Sequence, residues 1–178
     1  SSERLECIVE PARVALHCAH PEFDSGHFLD MLAEPTIKSC FAVLQVPVAV
    51  TQHYVVRKLA SAATPDRDAR RFLAEAVASL HPEHLKTLGR PLQGFGFRLF
   101  FPLTPDQPFH CDVKVESLIR DPKTIFLENK ATFAMPVQQN QLKLIRENLL
   151  KTERFLTENV VGFFAQCNPG SETSQEAS

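Results

Sequence analysis

The chain has no tryptophan, one tyrosine, two methionines and six glycines in 178 residues. So few Tyr and Trp leave little ring surface with a polar tip, and the fourteen phenylalanines point instead to apolar filling. An excess of charge is missing too. Nineteen Lys and Arg against 21 Asp and Glu give a formal charge of −2 and a pI near 6.4, with no general attraction for phosphate backbones or anionic lipid. Nucleic acid is therefore not the expected partner. Cys7, Cys18, Cys40, Cys111 and Cys167 are odd in number and irregularly spaced. They fit buried thiols in a reducing compartment better than a disulfide framework, so a cytoplasmic protein is expected. Ser1-Ser2-Glu3-Arg4 carries no apolar signal region, a property that a processed chain would share.

No membrane span is expected either. Ser39 to Val56 is an 18-residue stretch free of Asp, Glu, Lys and Arg, but Pro47 sits in its middle and Gln45, Gln52 and His53 interrupt it. Its β-branched Val43, Val46, Val48 and Val50 predict a buried strand from about Cys40 to Val50.

What the sequence does contain is clearest from residue 93 to 164. Phe95, Phe97, Leu99 and Phe101 alternate with Gly96, Arg98 and Phe100; Phe109, Cys111, Val113 and Val115 alternate with His110, Asp112, Lys114 and Glu116. Period two marks strands with one buried face. A third strand is expected from Ile125 to about Ala134, and the connectors Thr104-Pro105-Asp106-Gln107-Pro108 and Arg120-Asp121-Pro122-Lys123 carry turn-forming residues, so the three form an antiparallel meander over about 94–134. From Pro136 the period changes. Leu142, Ile145, Leu149, Leu156, Val160 and Phe163 lie on one face of a helix predicted over 136–164, with Glu147–Lys151 and Arg154–Glu158 pairs on the solvated side.

The N-terminal half is less regular. Leu5 to Val9 and Arg13 to Ala19 read as short strands split by Pro11, and Glu22 to Ala33 has helical spacing. Thr64-Pro65-Asp66 opens a helix whose apolar face is Ala69, Phe72, Leu73, Ala76, Val77 and Leu80; Pro82 starts a short helix that Gly89 closes. The fold class is α+β: an antiparallel sheet packed against a long C-terminal helix, with further helices in the N-terminal half. Length and composition fit a single domain over 1–165, followed by a disordered tail over 166–178.

Chemical candidates are few. His17, Cys18, His20, Glu22, Asp24 and His27 are ligand types that zinc or iron prefers, and a metal site would take His17, His20 and His27. On a strand, however, His17 and Cys18 face opposite ways, so a strand-to-helix corner is the plainer reading. His81 and His84 have nothing of ligand type fixed nearby. His110 and Asp112, two apart on a strand, share a face as two ligands of an iron site would, but no histidine follows His110 to complete it. Cys111 faces the core. No Gly-x-Ser-x-Gly elbow, phosphate-binding Walker loop or His-Glu-x-x-His helix is present.

Gln93-Gly94-Phe95-Gly96-Phe97-Arg98-Leu99-Phe100 resembles the RNP1 motif of RNA-recognition domains, whose aromatics stack on unpaired bases. It departs from that motif where Gln93 takes the basic position and Arg98 the apolar one, and where further strands follow in place of a helix. A strand packing its phenylalanines under the C-terminal helix accounts for the segment. Arg67, Arg70 and Arg71 form a basic cluster, but with Asp66, Asp68 and Glu75 around them they read as a solvated face.

Two function classes follow. The first is a non-catalytic binding or assembly module with an apolar groove between sheet and C-terminal helix. Phe97, Leu99, Phe101, Leu149 and Leu156 would contact a peptide, a lipid-like ligand or a second copy in a homodimer, and no cofactor is required. The alternative is a metal-dependent enzyme using zinc or iron on His17, His20 and His27.

Overall fold

A computed structural model of the protein describes residues 4–19, 25–62 and 68–167. They group into two compact units, one drawn from Ser1–Gln52 and Phe133–Lys151, the other from His53–Thr132 and Thr152–Ser178. The tail expected after residue 165 lies, from 168 on, outside the described residues.

In the first unit, β1 (Arg4–Glu10) and β2 (Arg13–Ala19) are the two short strands expected, and they pair as an antiparallel hairpin with Cys7 opposite Leu16. Arg13 closes the turn by donating to both Glu10 carboxylate oxygens at 3.1 Å. The helix predicted to end at Ala33 does not stop there. Segment α1 (Ser25–Phe28) passes through a π-helical turn (Leu29–Ala33) into α2 (Glu34–Val43). The strand expected from Cys40 to Val50 is therefore wrong for its first four residues, and only Val48–Ala49 is strand, β3. The freedom from charge was misleading because most of this run is not buried. Phe41 packs inward while Val43 is 80% exposed, so there was no buried sheet position for the β-branched residues to fill. Gln45, at φ +52°, then ends the helix in the left-handed region. No helix among the described residues is long and apolar enough to cross a membrane.

The C-terminal helix also starts later than Pro136. Val137–Gln138 form a short strand, β8, antiparallel to β3, with Val137 fully buried. The fixed φ of proline suits an extended residue as well as a first helical turn. Gln138 and Gln141 close a capping box over a 3-10 turn (Gln139–Gln141), and α5 (Lys143–Arg154) follows. Inside this unit Asn148 Nδ2 donates to Gln52 Oε1 and Gln52 Nε2 to the Met135 carbonyl, both at 3.0 Å, so these buried amides satisfy each other. Arg146 pairs with Asp30 at 2.9 Å.

The second unit holds a four-stranded sheet in the order β4-β7-β6-β5, formed by β4 (Gln52–Ser61), β5 (Gly96–Phe101), β6 (His110–Ser117) and β7 (Thr124–Phe133). Strands β5, β6 and β7 are the expected meander, with Val113 facing Leu99 on one side and Asn129 on the other. Strand β4 was not foreseen. It runs antiparallel to β7, as the contacts His53 to Thr132, Arg57 to Glu128 and Ala62 to Lys123 show. One sheet face carries Phe97, Leu99, Cys111, Val113, Val115, Ile125, Leu127 and Ala131. It is covered by the end of the C-terminal helix, which continues past α5 through a π turn (Phe155–Val160) into α6 (Val161–Gln166). Phe97 meets Phe164 at 6.4 Å between ring centroids, and Phe101 meets Phe155 edge-on at 5.0 Å.

The helix predicted from Thr64-Pro65-Asp66 has that start outside the described residues. Its described part is α3 (Ala69–Arg71) running into a π turn (Phe72–Val77), with Ala69, Phe72, Leu73 and Ala74 buried. Asp68 is the cap: its Oδ1 accepts from the N–H groups of Arg70 and Arg71 at 2.9 and 3.3 Å. The Arg70 guanidinium bonded to the same carboxylate is the main reason its pKa is held down to about 2, against a smaller opposing push from burial. Asp68→Ala is expected to cost about 0.5–2 kcal/mol at pH 7. Since the folded pKa lies below the unfolded one, this contribution is present above about pH 4 and lost as pH falls toward 2. Urea midpoints at pH 7 and pH 2 should therefore differ less in the variant than in the parent. As predicted, α4 (Pro82–Lys86) opens at Pro82, and Gly89 follows at φ +67°.

Candidate functional site

The five residues expected to line a sheet-to-helix groove fall in both units. Phe97, Leu99, Phe101 and Leu156 belong to the second unit and Leu149 to the first. Leu156 is fully buried and Leu149 half-buried. With Phe155 and Phe164 against Phe101 and Phe97, the seam is filled by the protein's own side chains.

The concave surface of this unit lies on the opposite sheet face. A groove of about 450 Å³ crosses one end of all four strands: His53 and Val55 come from β4, Thr132 and Lys130 from β7, His110 and Asp112 from β6, and Phe100 from β5. Period two puts these residues together, because partners in register share a face and alternate positions face away. Val55 and Phe100 are exposed apolar walls, Phe100 at 70%. His53 Nδ1 and Thr132 Oγ1 are hydrogen-bonded at 3.1 Å, which orients that ring. Asp112 is held by a two-pronged ion pair to Arg98. Along the same face Glu128, nearly buried, takes Arg57 at 2.6 Å and Lys130 at 3.3 Å. Burial raises the Glu128 pKa, but the hydrogen bonds from Arg57 and Lys130 override it and hold the carboxyl below its ordinary range. Two cations thus share one carboxylate beside two imidazoles, which leaves a local excess of donors.

Cys111, beneath the groove, faces the core as expected. Its thiol is pushed up to about 11 by burial, with the Asn129 amide offsetting a part, so it is held protonated and unreactive at neutral pH. His110 and Asp112 do share a face, but Asp112 is turned to Arg98. Of the histidine cluster, His17 is exposed on β2 opposite Glu6, while His20 and the side chain of His27 lie outside the described residues. Among the described residues no three His, Cys, Asp or Glu side chains converge as for a metal ion. The RNP1-like aromatics diverge: Phe97 packs on Phe164 and Phe100 points outward. In the basic cluster Arg70 pairs with Asp68 and Arg71 with Glu75, and Arg67 lies outside the described residues. His81 caps α4 by accepting from the Glu83 N–H, with its ring 5.8 Å from that of His84. The contribution of β4 was legible in principle, since Gln52, Tyr54 and Val56 alternate with His53, Val55 and Arg57.

No protein-family model, no curated protein and no solved structure matches this chain.

Proposed function

We propose that the chain is a non-catalytic binding module that works through the open face of its four-stranded sheet, where it takes a peptide segment bearing an apolar side chain next to a carboxylate. The observation that carries this reading is the groove itself: apolar Val55 and Phe100 flank a floor whose polar groups are Lys130, His53, His110, Thr132 and an Asp112 already paired with Arg98. The apolar walls suit one greasy side chain, and the excess of donors suits an acidic neighbour. The groove is partly open to solvent. A peptide lying across the strands fills such a surface, whereas an acyl chain would keep much of its area wet.

The test is a backbone amide NMR titration of the full chain with acetylated hexapeptides containing Phe or Leu flanked either by Glu or by Lys. The Glu-flanked peptides are expected to move amides near residues 53–55, 100–102, 110–112 and 130–132. Lys130→Ala should weaken binding about two- to fivefold, as the loss of a partly solvated charge partner does. Shifts that map elsewhere, equal binding of the Lys-flanked peptides, or no binding at millimolar peptide would each sink the reading.

A further inference from the structure

Strand β5 stands at an edge of the sheet, and no described strand pairs with its outer side. The Ser117 N–H donates to the Phe95 carbonyl at 2.9 Å, so the backbone of Phe95, and by alternation that of Phe97, Leu99 and Phe101, is turned toward β6. The N–H and C=O groups of Gly96, Arg98 and Phe100 therefore point to the free side. Protein edges are normally guarded by prolines, bulges or several charges. The opposite edge, β4, carries Arg57 and Lys58, but Gly96-Phe97-Arg98-Leu99-Phe100-Phe101 has a single charge and no proline.

We propose that a second copy of this chain pairs along that edge, antiparallel about a two-fold axis at Leu99, to join two four-stranded sheets into one. The register follows from self-complementarity. An axis at Leu99 sets Arg98 of each copy opposite Phe100 of the other, and these residues have just the outward-turned groups that exchange both backbone hydrogen bonds. A guanidinium then lies against an aromatic ring twice per dimer. That contact is already favourable within one chain, where the Arg98 guanidinium carbon is 5.3 Å from the Phe100 centroid. An axis at Arg98 would instead oppose two like charges, and one at Phe100 would set Arg98, inside the pairing, against Pro102, which lacks an N–H, whereas the Leu99 axis leaves only Gly96, at the strand's end, opposite that proline. A six-residue edge is a small interface, so the dimer is weak and concentration-dependent. The pairing's backbone hydrogen bonds run along the edge, but Phe100 also walls the groove, so the groove reading is tested at Lys130, which the pairing does not use.

Sedimentation equilibrium of the full chain, with Phe100→Lys and Phe100→Glu, tests it. Phe100 is exposed, so both variants should keep the parent's circular-dichroism melt. The parent is expected to dimerise with rising concentration, Phe100→Lys to dimerise at least about tenfold more weakly because it faces Arg98, and Phe100→Glu to dimerise as well as the parent or better through a cross-strand ion pair. A parent that stays monomeric over its whole soluble range overturns the proposal. So does equal weakening by Lys and Glu, which would mark an unregistered apolar patch, or a dimer untouched by Lys. The peptide titration at the groove reads amide shifts and the Lys130→Ala variant, so the two proposals fail separately.

Discussion

Leu156→Ala is expected to destabilise the protein by about 2–5 kcal/mol, lowering the melting temperature by roughly 5–15 °C. Leu156 has 0% exposure, in the π turn that lies against the sheet of the second unit. Removing the isopropyl end of its side chain leaves a void that the surrounding residues cannot fill without moving backbone. Leu149, seven residues earlier on the same stripe, is only half-buried in the first unit. Truncating it should cost roughly 1–2 kcal/mol, since less apolar area leaves water on folding. Equal losses for the two, measured by urea unfolding, would mean that Leu149 is as fully buried as Leu156. A loss at Leu156 of under 1 kcal/mol would mean that the seam is not packed.

A second large effect is expected from Asn129→Asp, an exchange of nearly equal size at a fully buried position in the centre of the sheet. Asn129 Nδ2 donates to the Thr152 carbonyl at 3.0 Å, three residues before the π turn begins, while Oδ1 has no hydrogen-bond partner among the described residues. A carboxylate here would face the Thr152 carbonyl oxygen with only the weak S–H donor of Cys111 nearby, at a cost of about 3–5 kcal/mol at pH 7. The new carboxyl group would have its folded pKa raised above the unfolded value. Its neutral form is therefore tolerated below about pH 4, and stability falls by about 1.4 kcal/mol per pH unit above that until the folded pKa is reached. The variant should melt nearer the parent at pH 4 than at pH 7. Asn129→Leu, which loses the hydrogen bond but adds no charge, should cost about 0.5–1.5 kcal/mol with no such slope. A flat pH profile for Asn129→Asp would show that water reaches the site.

Sequence pattern served best where one face of an element is buried and the other wet, because there the side-chain period copies the geometry. The alternation at Phe97, Leu99, Val113 and Val115 made the meander legible, and the spacing of Leu149, Leu156 and Val160 did the same for the helix. The open groove left a fainter trace. Its residues come from four strands, two of them separated by more than 40 positions, and Phe100 and Val55 look like core residues until the register shows which face they occupy.

By itself the sequence determined the α+β class, the strands β1 and β2, the three-stranded meander and the helix that follows it, since each depends on local period and turn chemistry. Only the tertiary structure decided that Cys40 is helical, that Val137 is strand, that β4 borders β7, and that the sheet's open face holds the groove. Those outcomes turn on which neighbours a segment finds. A charge-free run settles as helix when only Phe41 finds a core, and a residue after proline stays extended when Ala49 offers it a strand to pair with.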